Sequence, residues 1–178
     1  MRRLTMMAGA VGAALLLSTV AFAQVPPDPN NPNDGPVPDK YNYMQRGEPI
    51  KVEAAKKVAA AAVAEANKHG WPMCISVVDP HGELVYFERM DDCQYASIAI
   101  SQHKARTAAR YQRPTLVFER LLAKGPYFSY LPTLDDVIVS RGGNPIVVGG
   151  KIVGAVGVSG GTGSQDDATS QAGVAALK

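Results

Sequence analysis

Apolar and polar positions change their period several times along the chain, and each change marks an element. From Pro49 to His69, Val52, Ala55, Ala59, Ala62 and Ala66 recur at helical spacing. Pro49 suits a first helical turn and Gly70 the position just past the end, while Lys68 and His69 place cations where they oppose the helix dipole. The stripe is nearly all alanine, which predicts a helix packed close against its neighbour. The period then falls to two. Met73 to Val78 reads as a strand, Asp79 to Gly82 as a turn, and Glu83 to Arg89 as the return strand. Tyr95 to Tyr111 reads as a second helix, and Pro114 stops it or opens a third from Thr115 to Lys124, ended by Gly125. Residues 126–136 read as a loop rich in aromatics and proline, and Asp136 to Ser140 as a short strand. Pro145 to Val148 and Ile152 to Ser159 flank a Gly149-Gly150-Lys151 turn and predict a second hairpin. Ser164 is the expected cap of a final helix, with Asp166 and Asp167 in its first turn.

This order predicts one mainly antiparallel sheet with helices on its faces, a fold of the α+β class. Placing Val78 opposite Glu83 puts Val77 opposite Leu84 and Ile75 opposite Tyr86, all four on one sheet face. In that register Cys74 faces Phe87, and Cys93 lies several residues beyond the strand. The two cysteines, the only ones in the chain, are therefore expected as free thiols, although an oxidising compartment would permit a bond.

Ahead of the first helix the composition changes twice. Arg2 and Arg3 precede an uncharged apolar run from Leu4 to Val20, and Ala21-Phe22-Ala23 supplies small residues for cleavage before Gln24. Residues 1–23 thus read as a secretory signal peptide, the rival being an uncleaved membrane anchor. A periplasmic or secreted location follows. Residues 24–48 are rich in Pro, Asn and Asp and read as an extended arm, either a spacer or a segment packing on a neighbouring subunit. Residues 49–178 form the folded domain. Without Arg2 and Arg3 the formal charge of +2 disappears, which argues against an electrostatic nucleic-acid partner.

Three stretches are too specific for scaffolding alone. They are Val78-Asp79-Pro80-His81-Gly82; Arg89-Met90-Asp91-Asp92 with Lys104 to Ala108; and Gly142 to Ile146 with Gly157 to Asp167. The matches Val78-Asp79 with Gly82, Arg89-Met90-Asp91, Lys104-Ala105 with Thr107-Ala108, Gly142-Gly143 with Pro145-Ile146, and Gly154 to Gly161 with Gln165-Asp166 occur in a fixed order. In them the sequence resembles the GlcG/HbpS family of haem-binding proteins, also called PduO C-terminal-like. The resemblance covers almost all of residues 50–177. It implies a profilin-like antiparallel α/β sandwich that oligomerises, binds haem or another small ligand and, in some exported members, acts with a sensor kinase. Asp92-Cys93 departs from the small Gly-Ala pair usual in the family.

Within these matched segments the candidate ligand-binding residues are Arg89, Asp91, Lys104, Thr107, Gly143, Gly157, Ser159, Gly160 and Gly161, and the resemblance favours a pocket there. Consecutive glycines ahead of a helix also present a nest of N–H groups for an anion; the competing reading is a tight turn with no ligand. Asp166 and Asp167 would oppose an anion there unless they turn away or cap the helix. Arg89, Lys104 and Thr107 make a candidate carboxylate or propionate clamp. The alternative is an ion pair of Arg89 or Lys104 with Asp79 or Asp91. For haem iron, His69, His81 and His103 are the expected candidates. His69 also suits a helix end, His81 a turn, and His103 an exposed helix position. No pair of them has zinc-binding spacing.

The leading expectation is an exported protein that captures, stores or senses haem. A second is an enzyme on a carboxylate or carbonyl compound, with Lys104, Asp79 and Arg89 beside the glycine nest as base and oxyanion site. No nucleophile elbow, triad or metal motif accompanies them. A third is an oligomeric interaction module with no ligand.

Overall fold

A computed structural model describes residues 44–177. The predicted signal peptide and most of the predicted arm lie outside the described residues. In chain order the elements are α1 (Val52–His69), β1 (Cys74–Val78), β2 (Leu84–Arg89), α2 (Ala96–Arg110), α3 (Leu116–Leu122), a 3-10 segment (Pro126–Thr133), β3 (Gly143–Val148), β4 (Lys151–Ser159) and α4 (Gly163–Ala175). The strands form one antiparallel sheet in the order β2-β1-β4-β3. The α+β sandwich expected from the sequence is therefore the fold.

Two hairpins meet along β1 and β4, so these strands are central and β2 and β3 are edges. Alternation sorts the side chains to two faces. Ile75, Val77, Val156 and Val158 pack with Ala55, Val58, Ala59, Ala62 and Ala66 of α1. Val78 and Ala155 meet Ala105, Ala108 and Ala109 of α2 on the other face. α4 packs against α1 and against β3 and β4. A small third cluster, Phe118, Phe128, Leu131 and Val137, ties α3 to the 3-10 segment.

Helix α2 lies at backbone distance from the sheet. A Cβ at Gly157 would run into the Ser101 carbonyl and the Ala105 amide, and one at Gly143 into the Lys104 carbonyl. These two glycines set the helix–sheet spacing. They are packing positions, which sequence reasoning assigned to ligand binding.

Several expectations shift. Helix α1 begins at Val52 rather than Pro49, and Val52 is exposed while Val58 takes its place in the core. Gly70 does close the helix in a left-handed conformation, φ 66°. The β1–β2 register is Val78↔Leu84, Val77↔Tyr86, Ile75↔Glu88 and Cys74↔Arg89. The turn moves the pairing by one, to Val78↔Leu84, and a bulge that places Val85 as an extra residue between Leu84 and Tyr86 moves it by one more. Leu84 is left exposed. No strand forms at 136–140, where the chain runs irregularly beneath Thr107. Thr162, not Ser164, caps α4, in a reciprocal capping box with Gln165.

The expectation of free thiols is overturned: Cys74 and Cys93 form a disulfide, Cα–Cα 6.2 Å. The bulge is part of the reason, since it ends the hairpin with Cys74 opposite Arg89 rather than Phe87. Met90 N–H donates to the Met73 carbonyl at 3.0 Å, and a turn closed by Cys93 N–H to the Met90 carbonyl at 3.2 Å doubles the chain back. Asp92 makes that turn with φ 62°.

The last residues of the predicted arm are held to the sheet. Arg46 bridges Ile152 in parallel; Gly47 N–H donates to the Ile152 carbonyl and Ile152 N–H to the Gln45 carbonyl, both at 2.8 Å. Arg46 also donates to the carbonyls of Pro80 and Arg110 at 3.0 and 3.2 Å. Among the described residues no helix is long and apolar enough to cross a membrane.

Candidate functional site

Lys104 is the largest fully buried side chain of the described residues. Its ammonium donates to Asp166 Oδ2 at 2.6 Å, and both side chains are almost wholly removed from solvent. Gly161 N–H donates to Asp166 Oδ1 at 3.0 Å, and the Gly160 amide adds to the same carboxylate. Burial pushes the Asp166 carboxyl above its ordinary range, against the opposing pull of Lys104 and the two amides. The glycine nest read from the sequence is therefore real, and it holds an anion belonging to the chain itself. Asp166 neither turns away nor caps the helix; it fills the nest.

Neighbouring groups are engaged in the same internal way. Ser159 Oγ and Ser97 Oγ share a hydrogen bond of 3.0 Å, both residues buried. Thr107 Oγ1 donates to the Asp136 carbonyl at 2.6 Å and accepts from Ile138 N–H at 3.0 Å. Asn144 Nδ2 donates to Asp167 Oδ1 at 3.0 Å and Ser170 Oγ at 2.6 Å. These polar groups lock α2, α4 and the β3–β4 hairpin together.

Arg89, Lys104 and Thr107 do not assemble into a clamp. The Arg89 guanidinium lies 4.6 Å from the Tyr95 ring centroid and donates to the Cys93 carbonyl at 3.4 Å. No ion pair joins Arg89 or Lys104 to Asp79 or Asp91 among the described residues. Asp79 shapes the β1–β2 turn, its Oδ1 accepting from His81 and Glu83 N–H at 2.8 and 3.0 Å. Asp79 and Arg89 stand at opposite ends of β1, roughly 16 Å apart by strand rise. The catalytic trio considered from the sequence is thus dispersed.

The three histidines separate clearly. His69 is exposed, stacks on Trp71 with centroids 4.2 Å apart, and contacts Glu65 at 3.3 Å. His81 sits in the exposed turn, where Arg110 grips its carbonyl at 2.9 Å. His103, on α2, has its Nε2 buried with no hydrogen-bond partner. A buried, unpartnered ring nitrogen is costly unless something completes it. Sequence reasoning placed His103 on an exposed helix position; the atom is buried.

Two clefts open elsewhere. The larger, about 590 Å³, is lined by Met44, Pro114, Pro145 and Val147 and by Gln171, Ala172, Val174 and Ala175 of α4, beside the edge strand β3. The other, about 440 Å³, lies at the C-terminal end of α1, between Trp71-Pro72 and the turn Met90-Asp91-Asp92. Of the predicted ligand-binding residues, Asp91 lines one of these two clefts and the others line neither. Sequence reasoning missed Trp71, although a lone Trp just past a helix end was a visible signal. Among the described residues no group of three or more His, Cys, Asp or Glu could hold a metal ion.

The comparisons with known proteins bear on the whole domain. Protein GlcG of Escherichia coli strain K12 is 43% identical over 111 residues, 62% of this chain and 81% of its own length. HbpS of Streptomyces reticuli, solved as a double mutant, superposes with a TM-score of 0.68 at 30% identity, covering 81% of this chain and 97% of that one. A structure described as a PduOC:heme complex superposes with a TM-score of 0.66 at 26% identity, covering 73% of this chain and 96% of that one. The family described as haem degrading protein HbpS-like matches residues 50–175, from two residues before α1 to the end of α4, and the chain belongs to that HbpS-like family.

Proposed function

We propose that this chain is an exported haem-binding protein that captures, stores or senses haem outside the cytoplasm. The observation that carries the reading is the family match across residues 50–175, joined to a structural relative described as a heme complex. The fit of this chain's own residues supports it at one point. The buried Nε2 of His103 lacks a partner among the described residues, and an imidazole nitrogen is a usual ligand of haem iron. His103 would hold the iron. His69 and His81 are engaged in a ring stack and a turn. Haem would supply a redox-active iron; the chain's part is to place the imidazole and exclude water from it. Lys104 and Thr107, already bonded within the fold, would serve a propionate only after breaking those bonds. Cleavage after Ala23, assembly into a homo-oligomer and signalling through a sensor kinase belong to the same reading, with the Pro-rich arm as a spacer.

Titration of the mature protein with haemin tests it. A saturable Soret shift is expected, abolished or moved in His103→Ala and retained in His69→Ala and His81→Ala. Absence of saturable binding in the wild-type chain refutes the reading. A retained, unshifted Soret band in His103→Ala refutes the ligand assignment alone. N-terminal sequencing of the exported product is expected to begin at Gln24.

A further inference from the structure

We propose that the cleft at the C-terminal end of α1 binds a small amphipathic organic cation, an ammonium head on an apolar body. The volume, about 440 Å³, lies within the range of small-molecule sites, roughly 300–1,000 Å³. Its apolar lining is fixed, because Val63, Trp71 and Met90 are partly buried and packed against the main core. Its polar lining is acidic. Asp91 and Asp92 are exposed, and neither carboxylate has a hydrogen bond or ion pair among the described residues.

The cations nearest in sequence are directed elsewhere. Lys68 is paired with Glu65 at 2.7 Å, and His69 contacts the same Glu65 while stacking on Trp71. Arg89 lies over Tyr95 and donates to the Cys93 carbonyl. The opposite wall is the end of an eighteen-residue helix, the pole where the backbone dipole favours positive charge. Both walls therefore select the same sign.

The acidic wall is also held in place before any ligand arrives. Met90 extends the ladder to Met73, and the Cys74–Cys93 disulfide closes the turn from its other end. A preorganised wall lowers the ordering cost of binding. Two free carboxylates repel a doubly anionic haem, so this cleft is separate from the haem site proposed above and does not rest on it.

The chain's single tryptophan lies in the cleft, which gives a direct readout. The mature protein would be titrated at low salt with hexyltrimethylammonium, hexanol and hexanoate, followed by Trp71 emission and by calorimetry. The ammonium is expected to bind saturably, and hexanoate at least about tenfold more weakly. Asp91→Asn with Asp92→Asn is expected to cost about tenfold for the ammonium and nothing for hexanol. Asn tolerates the left-handed conformation at position 92, so this variant keeps the turn; Asp91→Asn alone provides a second, smaller step. Equal affinity for the ammonium and the carboxylate overturns the proposal, as does undiminished ammonium binding in the double variant or no saturable binding of the ammonium.

Discussion

Asp166 and the Asp91–Asp92 pair both stood in segments that looked chemical in the sequence, and the fold treats them in opposite ways. Asp166 is buried on the Lys104 ammonium and the Gly160 and Gly161 amides, at the junction of α2, α4 and the β3–β4 hairpin. Asp91 and Asp92 stand on an exposed turn with no partner among the described residues, on a wall fixed by a disulfide. The first arrangement satisfies its own charge and leaves nothing to offer a ligand. The second leaves two charges unmet beside an apolar surface. Residue type alone does not separate these cases; the difference is whether the fold already supplies the counter-charge.

The sharpest way to break the comparison is to unpair the buried site. Lys104→Met is expected to cost about 3–5 kcal/mol, because it strands the Asp166 carboxylate. Lys104→Met combined with Asp166→Leu is expected to recover most of the loss, since a well-packed apolar pair often matches a buried ion pair. Denaturant unfolding of the three proteins measures this, and a double variant as weak as the single one would show that the pair matters beyond its charge.

Opening the disulfide acts on the other region. Reduction, or Cys74→Ala with Cys93→Ala, is expected to lower stability by about 2–4 kcal/mol. It should also blur the Trp71 emission response to the ammonium probe, because one wall of the cleft is released.

A smaller effect is expected from the Glu119–Arg141 pair, which is partly exposed. Arg141 Nε donates to Glu119 Oε1 at 2.8 Å and its backbone N–H to Oε2 at 2.8 Å. The Arg141 hydrogen bonds hold the Glu119 carboxyl below its ordinary range, against a smaller opposing effect of burial. A depressed folded pKa contributes stability that is full above the unfolded value of 4.5 and is lost as pH falls through the folded one. Glu119→Gln should therefore cost about 1 kcal/mol at neutral pH and nearly nothing in strong acid. Asp166 runs the other way. Its raised folded pKa means that its ionisation costs stability as pH climbs from the unfolded value of 3.8 through the folded one. A pH series of unfolding curves on wild type and Glu119→Gln separates the two.

The smallest expected change sharpens the comparison most. Asp91→Asn and Asp92→Asn should leave the unfolding free energy within about 0.5 kcal/mol, as for surface positions generally. A large loss would mean that the turn carboxylates hold the fold after all.

Much of the architecture was legible because it rests on local signals. The alanine stripe of α1, Gly70 and the glycine turn at 149–150 mark their elements from within a few residues. Contacts between distant segments were not legible. The bulge at Val85 depends on how the β1–β2 turn closes, and the hairpin register and the disulfide both depend on the bulge. Lys104 and Asp166 are 62 positions apart and meet only because α2 and α4 converge on the β3–β4 hairpin. The same limit hid the site: Asp91 was flagged by motif, while Trp71, its partner across the cleft, carries meaning only once α1 and the 90–92 turn are side by side.

The backbone-close seat of α2 on Gly143 and Gly157 has a consequence in time as well as in space. Covered by α1 on one face and α2 on the other, β1 and β4 have no route to water except through loss of the whole sandwich. Their amides should be the last in the molecule to exchange with deuterium, at rates set by global unfolding, while the edge strands β2 and β3 exchange by local opening. Replacing the hydrogen at Gly157 with a methyl group would lift α2 from the sheet, and the slow clock of the central strands would then run at the pace of the edges.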